Sequence, residues 1–190
     1  MKSRIENCIQ ESIKVKQEIL SSEDILDCIE LIVSKSVIAF NNDKKMLLCG
    51  NGGSASDAQH IAAELSGRFY KDRKALFAEA LHVNSSFVTA VANDYGYDNI
   101  YSRMVEAAGK NGDILIGIST SGNSTNVVNA IKKAKGIGMI TIGFTGDKVG
   151  EMDQFCDIMI KVPSSDTPRI QESHILIGHI ICQLIEEKLF

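Results

Sequence analysis

A histidine and a glutamate at helical spacing are the first residues whose chemistry stands out. In the segment DAQHIAAEL, His60 and Glu64 lie four residues apart, so a helix places both side chains on one face. An imidazole and a carboxylate in that arrangement can ligate one metal ion, or can act as an acid/base pair. The ordinary alternative is an ion pair on the surface of the helix.

Near the end of the chain, a strongly apolar stretch carries a second polar set in the segment RIQESHILIGHIICQLIE. A buried helix excludes polar groups unless they are hydrogen-bonded or used. In a helical projection Gln171 and His179 lie about 80° apart, while Glu172 lies about 20° from His179. The geometry of an isolated helix therefore favours Glu172 as the partner of His179. His174 lies about 140° from His179 in projection, and we expect it to be hydrogen-bonded in the core or in an interface.

Two loops rich in glycine and serine each follow an apolar run and precede a helical stretch. The first is GNGGSAS at 50–56, and the second is STSGNSTN at 119–126. Small residues let the backbone approach a ligand, and free N–H groups at a helix N-terminus attract anions. The second loop adds four hydroxyl groups, those of Ser119, Thr120, Ser121 and Ser124. That composition suits a phosphate group held without lysine or arginine.

Other interpretations of these loops are weaker. Glycine-rich turns also connect elements of α/β proteins without binding anything. The first loop matches the dinucleotide pattern G-x-G-x-x-A, but such a site needs an acidic residue at the end of the following strand, which here ends in HVNSS. A nucleotide-hydrolysing P-loop is excluded because neither loop has a GK[ST] ending.

The elements that must position these residues follow an α/β pattern. The first forty residues predict two helices, the second of them capped by Ser21 or Ser22. Beyond them, short apolar runs alternate with helical stretches near 54–67, 97–108 and 124–135. The predicted strands are Met46–Cys49, roughly Ala75–Val83, Ile114–Ile118, Met139–Phe144 and Ile158–Val162. Unbroken apolar strands that alternate with helices indicate a doubly wound α/β domain, a parallel sheet flanked by helices.

The last segment, about residues 168–188, has apolar residues around nearly the whole circumference of a helix. A helix that is apolar all round is buried on all sides, most simply against another subunit in a chain of 190 residues. We therefore expect a homo-oligomer, with the N-terminal helices as further candidates for the interface. No repeat or linker divides the chain, so we expect one domain over 1–190, with a helical pair at 1–42 and an α/β core at 45–188.

Composition and charge indicate which kinds of binding partner the protein has. The chain has 20 basic and 24 acidic residues and a net charge of −4, so we expect no nucleic-acid or membrane partner. Its five cysteines are scattered without a CxxC pair, and its polar N-terminal segment does not resemble an export signal. These features indicate reduced thiols and a cytoplasmic protein.

The chain resembles the sedoheptulose 7-phosphate isomerases (phosphoheptose isomerases) of the sugar isomerase (SIS) domain family. Four stretches in the expected order carry the resemblance: CGNGGSASDAQHIAAELSGRF, VANDYGYDNIYSR, GDILIGISTSGNSTNVVNAI and RIQESHILIGHIICQLIE. The resemblance implies the SIS fold, a homotetramer and an enzyme that acts on a phosphorylated heptose. Such enzymes convert sedoheptulose 7-phosphate to D-glycero-D-manno-heptose 7-phosphate, a precursor of the heptose in surface polysaccharides.

The resemblance also implies roles for particular residues. One Zn²⁺ per subunit would be held by His60, Glu64, Gln171 and His179. This choice of Gln171 differs from the helical projection, which favours Glu172. Glu64 would be the base and His179 the acid/base partner across an enediol, with phosphate bound by the hydroxyl groups of the second loop. Substrate contacts are implied for Asn51, Gly52, Gly53, Glu64, Asn93, Asp94 and Gln171.

Alternatives within the same fold stay open. A non-catalytic SIS protein, like the one that assists bacterial replication initiation, keeps the fold and loops but lacks the acid/base set. Here both Glu64 and His179 are present. An isomerase for another phosphorylated sugar, such as a hexose phosphate, would carry the same loops. Instead of contacting the substrate, Asn93 and Asp94 could simply form a turn. Arg68, which follows the helical stretch after the first loop, could reach the substrate or could be a solvated charge at the helix end.

Overall fold

The computed structural model describes all 190 residues and begins with two long helices. Helix α1 spans Lys2–Leu20 and α2 spans Glu23–Asn41, as the sequence predicts. The hydroxyl group of Ser22 caps α2 by accepting a hydrogen bond from the Ile25 N–H at 3.4 Å. Every residue from 2 to 11 is exposed, so the first half of α1 projects from the body of the chain.

Five parallel strands form one sheet, in the order β2-β1-β3-β4-β5. They are β1 (Met46–Gly50), β2 (Ala78–Ala80), β3 (Ile114–Ile118), β4 (Ile140–Thr145) and β5 (Ile158–Lys161). The central strands are in register, with Met46 opposite Ile114 and Gly50 opposite Ile118. The chain leaves β1 toward β2 on one side, and continues from β3 to β5 on the other. The carboxyl ends of β1 and β3 therefore form a switch point, the place where open α/β sheets bind ligands.

Helices cover both faces of the sheet, which confirms the doubly wound α/β class. The remaining helices are α3 (Gly53–Ser66), α4 (Ser85–Tyr95), α5 (Ile100–Ala108), α6 (Thr125–Ile137) and α7 (Thr167–Leu189). Helices α1, α2, α3 and α7 contribute to one buried apolar cluster, and α4, α5 and α6 contribute to a second cluster on the opposite face. The sheet thus holds the ends of α3, α6 and α7 near the switch point.

Two local predictions differ from the structure. The strand predicted at Ala75–Val83 forms only at Ala78–Ala80, since it lies at the edge of the sheet and pairs with β1 alone. Helix α4 is not predicted, because Val91 is its only buried residue and its apolar periodicity is correspondingly weak.

Helix α7 packs against α1, α2 and α3. Ile177, Ile181 and Ile185 are buried between these helices and the sheet. Elsewhere on α7, Ile175 and Ile180 pack against the same cluster but are only half-buried. Burial of α7 on all sides is therefore not achieved within one chain, because part of its apolar surface has no intrachain partner. None of the helices, including this longest one, combines the length and apolar character needed to cross a bilayer.

Candidate active site

The first glycine loop turns sharply between β1 and α3. Gly52 has a φ of +55°, a left-handed conformation that favours glycine. A Cβ atom on Gly50 would lie 2.6 Å from the carbonyl oxygen of Ser54, so no larger residue fits there. The hydroxyl group of Tyr101 donates to the carbonyl oxygen of Gly50. These contacts hold the exposed backbone of Gly52 and Gly53 at the end of β1.

A reciprocal pair of amides joins the two loops. Asn51 Nδ2 donates to Asn126 Oδ1 at 2.8 Å, and Asn126 Nδ2 donates to Asn51 Oδ1 at 2.9 Å. Asn126 Oδ1 also accepts from the N–H of Val127 at 2.9 Å, within the first turn of α6. Tyr97, two residues beyond the end of α4, donates its hydroxyl proton to Asn51 Oδ1 at 3.2 Å and so joins the turn after α4 to the first loop. Sequence reasoning missed the role of Asn126, although it is the last residue of the STSGNSTN segment.

Hydroxyl groups cluster at the N-terminus of α6. Ser119 is buried at the end of β3, and its Oγ lies 2.9 Å from Ser124 Oγ and 3.4 Å from Ser121 Oγ. Ser124 is the N-cap of α6, and its side chain makes no capping bond. Thr120, which is half-buried, lies between Ser119 and Ser121 in the sequence. These hydroxyl groups and the first N–H groups of α6 are neutral donors that suit an anion.

His60 and Glu64 of α3 face His179 of α7. The Nε2 atoms of His60 and His179 are 3.0 Å apart, and Glu64 Oε1 lies 3.3 Å from His60 Nε2. One ligand atom from each of the three residues lies within 4.8 Å of the other two. The side chains of His60 and Glu64 are 50% and 23% exposed, so a substrate can reach them. Residues from two distant segments thus form one cluster.

A close contact between α3 and α7 brings this cluster together. A Cβ atom on Gly178 would lie 2.5 Å from Cδ1 of Ile61, so a larger residue there would require the Ile61 side chain to move or the helices to separate. Gly178 directly precedes His179 and Ile61 directly follows His60. The closest approach of the two helices therefore lies directly beside the two imidazoles. The ring of Phe69 lies against the cluster, with its centroid 5.8 Å from that of His179.

Gln171 lies against the first loop, whereas Glu172 points elsewhere. A Cβ atom on Gly53 would lie 2.6 Å from Gln171 Nε2, which places the amide over the start of α3. Glu172 accepts hydrogen bonds from Ser12 Oγ of α1 at 2.8 Å and from Arg169 at 2.6 Å. The helical projection that favoured Glu172 is therefore wrong, because it treats α7 as isolated and ignores α1 on that side.

Known proteins share this sequence and fold. Residues 10–146 match the SIS domain family. Over all 190 residues the chain is 55% identical to the phosphoheptose isomerase of Clostridium acetobutylicum, covering 97% of that protein, and 52% identical to that of Aneurinibacillus thermoaerophilus, covering 96%. The structure matches a phosphoheptose isomerase from Neisseria gonorrhoeae with a TM-score of 0.92 at 41% identity, over 98% of each chain. The chain belongs to the phosphoheptose isomerase group of the SIS domain family.

The donor set of this SIS domain fits a zinc ion. Two imidazole nitrogens and one carboxylate oxygen form a set common in catalytic zinc sites. A direct N–H···N bond between the facing Nε2 atoms of His60 and His179 requires one of these atoms to carry a proton. When both rings carry their proton on Nδ1, two Nε2 lone pairs face each other and need a shared partner. A shared cation satisfies both. The half-buried Gln171 approaches from the side of the first loop.

Asp57 lies one helical turn before His60 and was not singled out by sequence reasoning. Burial raises the pKa of its carboxyl group to about 6, and the neighbouring His60 lowers the pKa in part. Its Oδ2 atom is buried and has no hydrogen-bond partner. The SIS domain therefore has a titratable group, Asp57, beside the His60–Glu64–His179 cluster. The sequence spacing of Asp57 does not distinguish it from the other polar residues of α3.

The other predicted residues lie outside this cluster. Asn93 Nδ2 donates to Asp94 Oδ1 at 2.8 Å near the end of α4, where both residues are exposed. Arg68 is exposed just beyond α3. His174 is buried and its Nε2 lies 3.1 Å from the carbonyl oxygen of Thr145, as expected of a core histidine.

Proposed function

We propose that this protein interconverts sedoheptulose 7-phosphate and D-glycero-D-manno-heptose 7-phosphate. The observation that carries the proposal is the cluster of Glu64 and His179 in a chain that matches phosphoheptose isomerases over its whole length. The reaction moves a carbonyl group between C1 and C2, which requires proton transfer at carbon and at oxygen. The product would supply a nucleotide-activated heptose for lipopolysaccharide, capsule or another surface polysaccharide.

In the proposed reaction, Glu64 takes a proton from C1 of the open-chain ketose and delivers it to C2 of the enediol. His179 moves protons between the oxygens on these two carbons. The hydroxyl groups of Ser119, Ser121 and Ser124 bind the phosphate group at the other end of the sugar. Asn51, held by Asn126, fixes the first loop along the substrate between these two ends.

We also propose that His60, Glu64, Gln171 and His179 hold a Zn²⁺ ion. The support is the donor set and the convergence of three of these side chains within 4.8 Å. When bound, the ion would polarise the oxygens on C1 and C2 of the sugar. Since a carboxylate cannot be firmly ligated and freely basic at the same moment, a Glu64 that acts as the base is a weak ligand.

The test is incubation with sedoheptulose 7-phosphate, with the aldoheptose phosphate followed by NMR. Wild type is compared with Glu64→Gln and His179→Gln, and with His174→Gln as a matched control on the same helix. We expect product from wild type and the control, and a loss of about 10²- to 10⁴-fold in the other two variants. No product from wild type with added Zn²⁺, while the substrate still raises thermal stability, would support the non-catalytic SIS alternative.

We further propose a homotetramer in which the first half of α1 contacts another subunit. Ile5, Ile9 and Ile13 form an exposed apolar stripe at spacings of four residues, with 54%, 55% and 41% exposure. Light scattering is expected to give a tetramer for wild type and a smaller species for Ile9→Glu. Glu11→Lys, on another face of α1, serves as the control. A wild-type monomer would contradict the proposal.

The compartment that we propose is the cytoplasm. Five unpaired cysteines, Cys8, Cys28, Cys49, Cys156 and Cys182, are dispersed over the structure. Two of them, Cys49 and Cys182, are buried in the core, where burial raises the pKa of the thiols. Reduced thiols of this kind are typical of a reducing compartment.

A further inference from the structure

A buried ion pair links the segment after α3 to the end of α7. Arg73 Nε lies 3.0 Å from Glu186 Oε2, and both side chains are only 2% exposed. Glu186 also accepts hydrogen bonds from three consecutive backbone N–H groups, those of Phe69, Tyr70 and Lys71, at 3.2, 2.8 and 2.7 Å. One carboxylate therefore fixes the course of the chain just after α3.

The guanidinium group of Arg73 caps the carboxyl end of α3. Its Nη2 donates to the carbonyl oxygen of Glu64 at 2.9 Å, and its Nη1 donates to those of Leu65 and Gly67 at 2.7 and 3.2 Å. The last carbonyl groups of a helix have no partner within the helix, and a cation there also opposes the negative end of the helix dipole. Arg73 thus binds the backbone of the residue proposed as the catalytic base.

The ion pair connects both halves of the proposed acid/base pair. Glu186 lies on α7 two helical turns beyond His179, while Arg73 holds the turn of α3 that contains Glu64. Phe69 donates its N–H to Glu186, and its ring lies 5.8 Å from that of His179. A shift of the ion pair would therefore move Glu64, His179 and Phe69 relative to one another.

We propose that Arg73 and Glu186 are positioning residues for the isomerase reaction, which hold Glu64 of α3 and His179 of α7 at their working separation. The inference rests on the proposed function. Both side chains are only 2% exposed, out of reach of a substrate, so the ion pair acts through backbone placement. Its loss should lower kcat and leave KM nearly unchanged, because the serine loop proposed to bind the phosphate group lies between β3 and α6 and has no contact with the ion pair.

A second buried carboxylate, just before β3, provides a matched control. Asp113 precedes β3, is 1% exposed, and lies 2.6 Å from Lys45 Nζ. It accepts backbone hydrogen bonds from Lys45 at 3.1 Å and Lys110 at 2.8 Å. Asp113 and Glu186 thus share the same chemistry, a buried carboxylate that binds one cation and two or three backbone N–H groups. Only Glu186 is connected to the site.

The experiment compares Glu186→Gln and Arg73→Lys with Asp113→Asn, in each case on the folded protein. Thermal unfolding, kcat and KM for sedoheptulose 7-phosphate are measured for each variant. We expect all three variants to unfold at lower temperature. The two variants of the ion pair should also lose roughly 10- to 100-fold in kcat, with KM close to the wild-type value, while Asp113→Asn keeps the wild-type kcat. Wild-type kcat in folded Glu186→Gln and Arg73→Lys would overturn the proposal.

A double variant and an NMR measurement test the proposal where a single variant does not fold or where no activity is seen. Arg73→Met combined with Glu186→Gln leaves no unpaired buried charge, so it serves where a single variant does not fold, and it should show the same loss of kcat. The chain has four histidines, whose ring signals are followed by NMR in each variant. The signals of His60 and His179 should shift in the ion-pair variants and stay unchanged in Asp113→Asn. If the wild-type protein fails to isomerise the sugar, these signals still test whether the ion pair positions the cluster. Unchanged signals of His60 and His179 in the ion-pair variants would reject that positioning role.

Discussion

Two histidines five residues apart on α7 lie in opposite surroundings. His179 faces α3, where its Nε2 lies 3.0 Å from that of His60 in a partly exposed cluster. His174 faces the sheet and is wholly buried, with its Nδ1 unpaired. Burial lowers the pKa of His174 to about 4, and its contact with the carbonyl group of Thr145 opposes this shift in part. A histidine on this helix therefore indicates a site only where other ligand atoms and solvent meet it.

Metal binding should show the largest difference between the two sides of α7. His60→Gln removes one of three converging donors and is expected to weaken zinc binding by about 100-fold or more. His174→Gln should leave zinc affinity unchanged, because His174 faces the sheet instead of the cluster. Competition with a chromogenic chelator measures both affinities. Equal affinities in wild type and His60→Gln would place the metal outside the cluster.

A methyl group at the α3–α7 contact should produce an intermediate effect. Gly178→Ala places a Cβ atom 2.5 Å from Ile61 Cδ1, so the helices must separate or the side chain must move. We expect a loss of roughly 1–3 kcal/mol in the free energy of unfolding. Because the same contact lies directly beside His60 and His179, kcat should fall as well, by about tenfold.

The double variant Gly178→Ala with Ile61→Ala sharpens this test. Ile61→Ala removes the two atoms that a new Cβ would meet, since Cγ1 of Ile61 is also within 2.7 Å of that position. Activity in the double variant should recover relative to Gly178→Ala, as measured by the same NMR assay. A double variant no more active than Gly178→Ala would show that the spacing of the two helices does not limit the reaction.

The two sides of α7 also show how far the sequence alone leads. The i, i+4 pair His60 and Glu64 could be predicted to share a face, because that relation is local to one helix. The choice between Gln171 and Glu172 could not, since it depends on α1 packing against one side of α7. Helical projection contains no information about which neighbour a helix will have.

Longer-range contacts were harder still to predict. Arg73 and Glu186 are 113 residues apart, and their ion pair leaves no local spacing signal in the sequence. The pairing of Asn51 with Asn126 spans 75 residues, and follows only from the parallel register of β1 and β3. By contrast, the apolar runs of the central strands have strong local patterns, and both loops could be placed at strand ends.

The smallest expected effect concerns the sheet-facing side of α7 and its dependence on pH. His174 has a folded-state pKa of about 4 against an ordinary value of 6.5, so between these values the unfolded chain binds more protons than the folded one. Stability must therefore rise with pH across this window and level off above it. Lowering the pH from 7.5 to 5.5 should cost about 1 kcal/mol through this residue.

His174→Gln isolates that contribution, because glutamine can still donate to the carbonyl group of Thr145 and has no charge to gain. Urea unfolding of both proteins at pH 5.5 and pH 7.5 gives the difference. Asp57, with a raised pKa of about 6, acts in the opposite direction but is present in both proteins and cancels. On acidification, the free energy of unfolding should fall more for wild type than for His174→Gln. At pH 7.5 the variant should be as active as wild type. Equal losses in the two proteins would mean that His174 accepts a proton in the folded state as readily as in the unfolded chain.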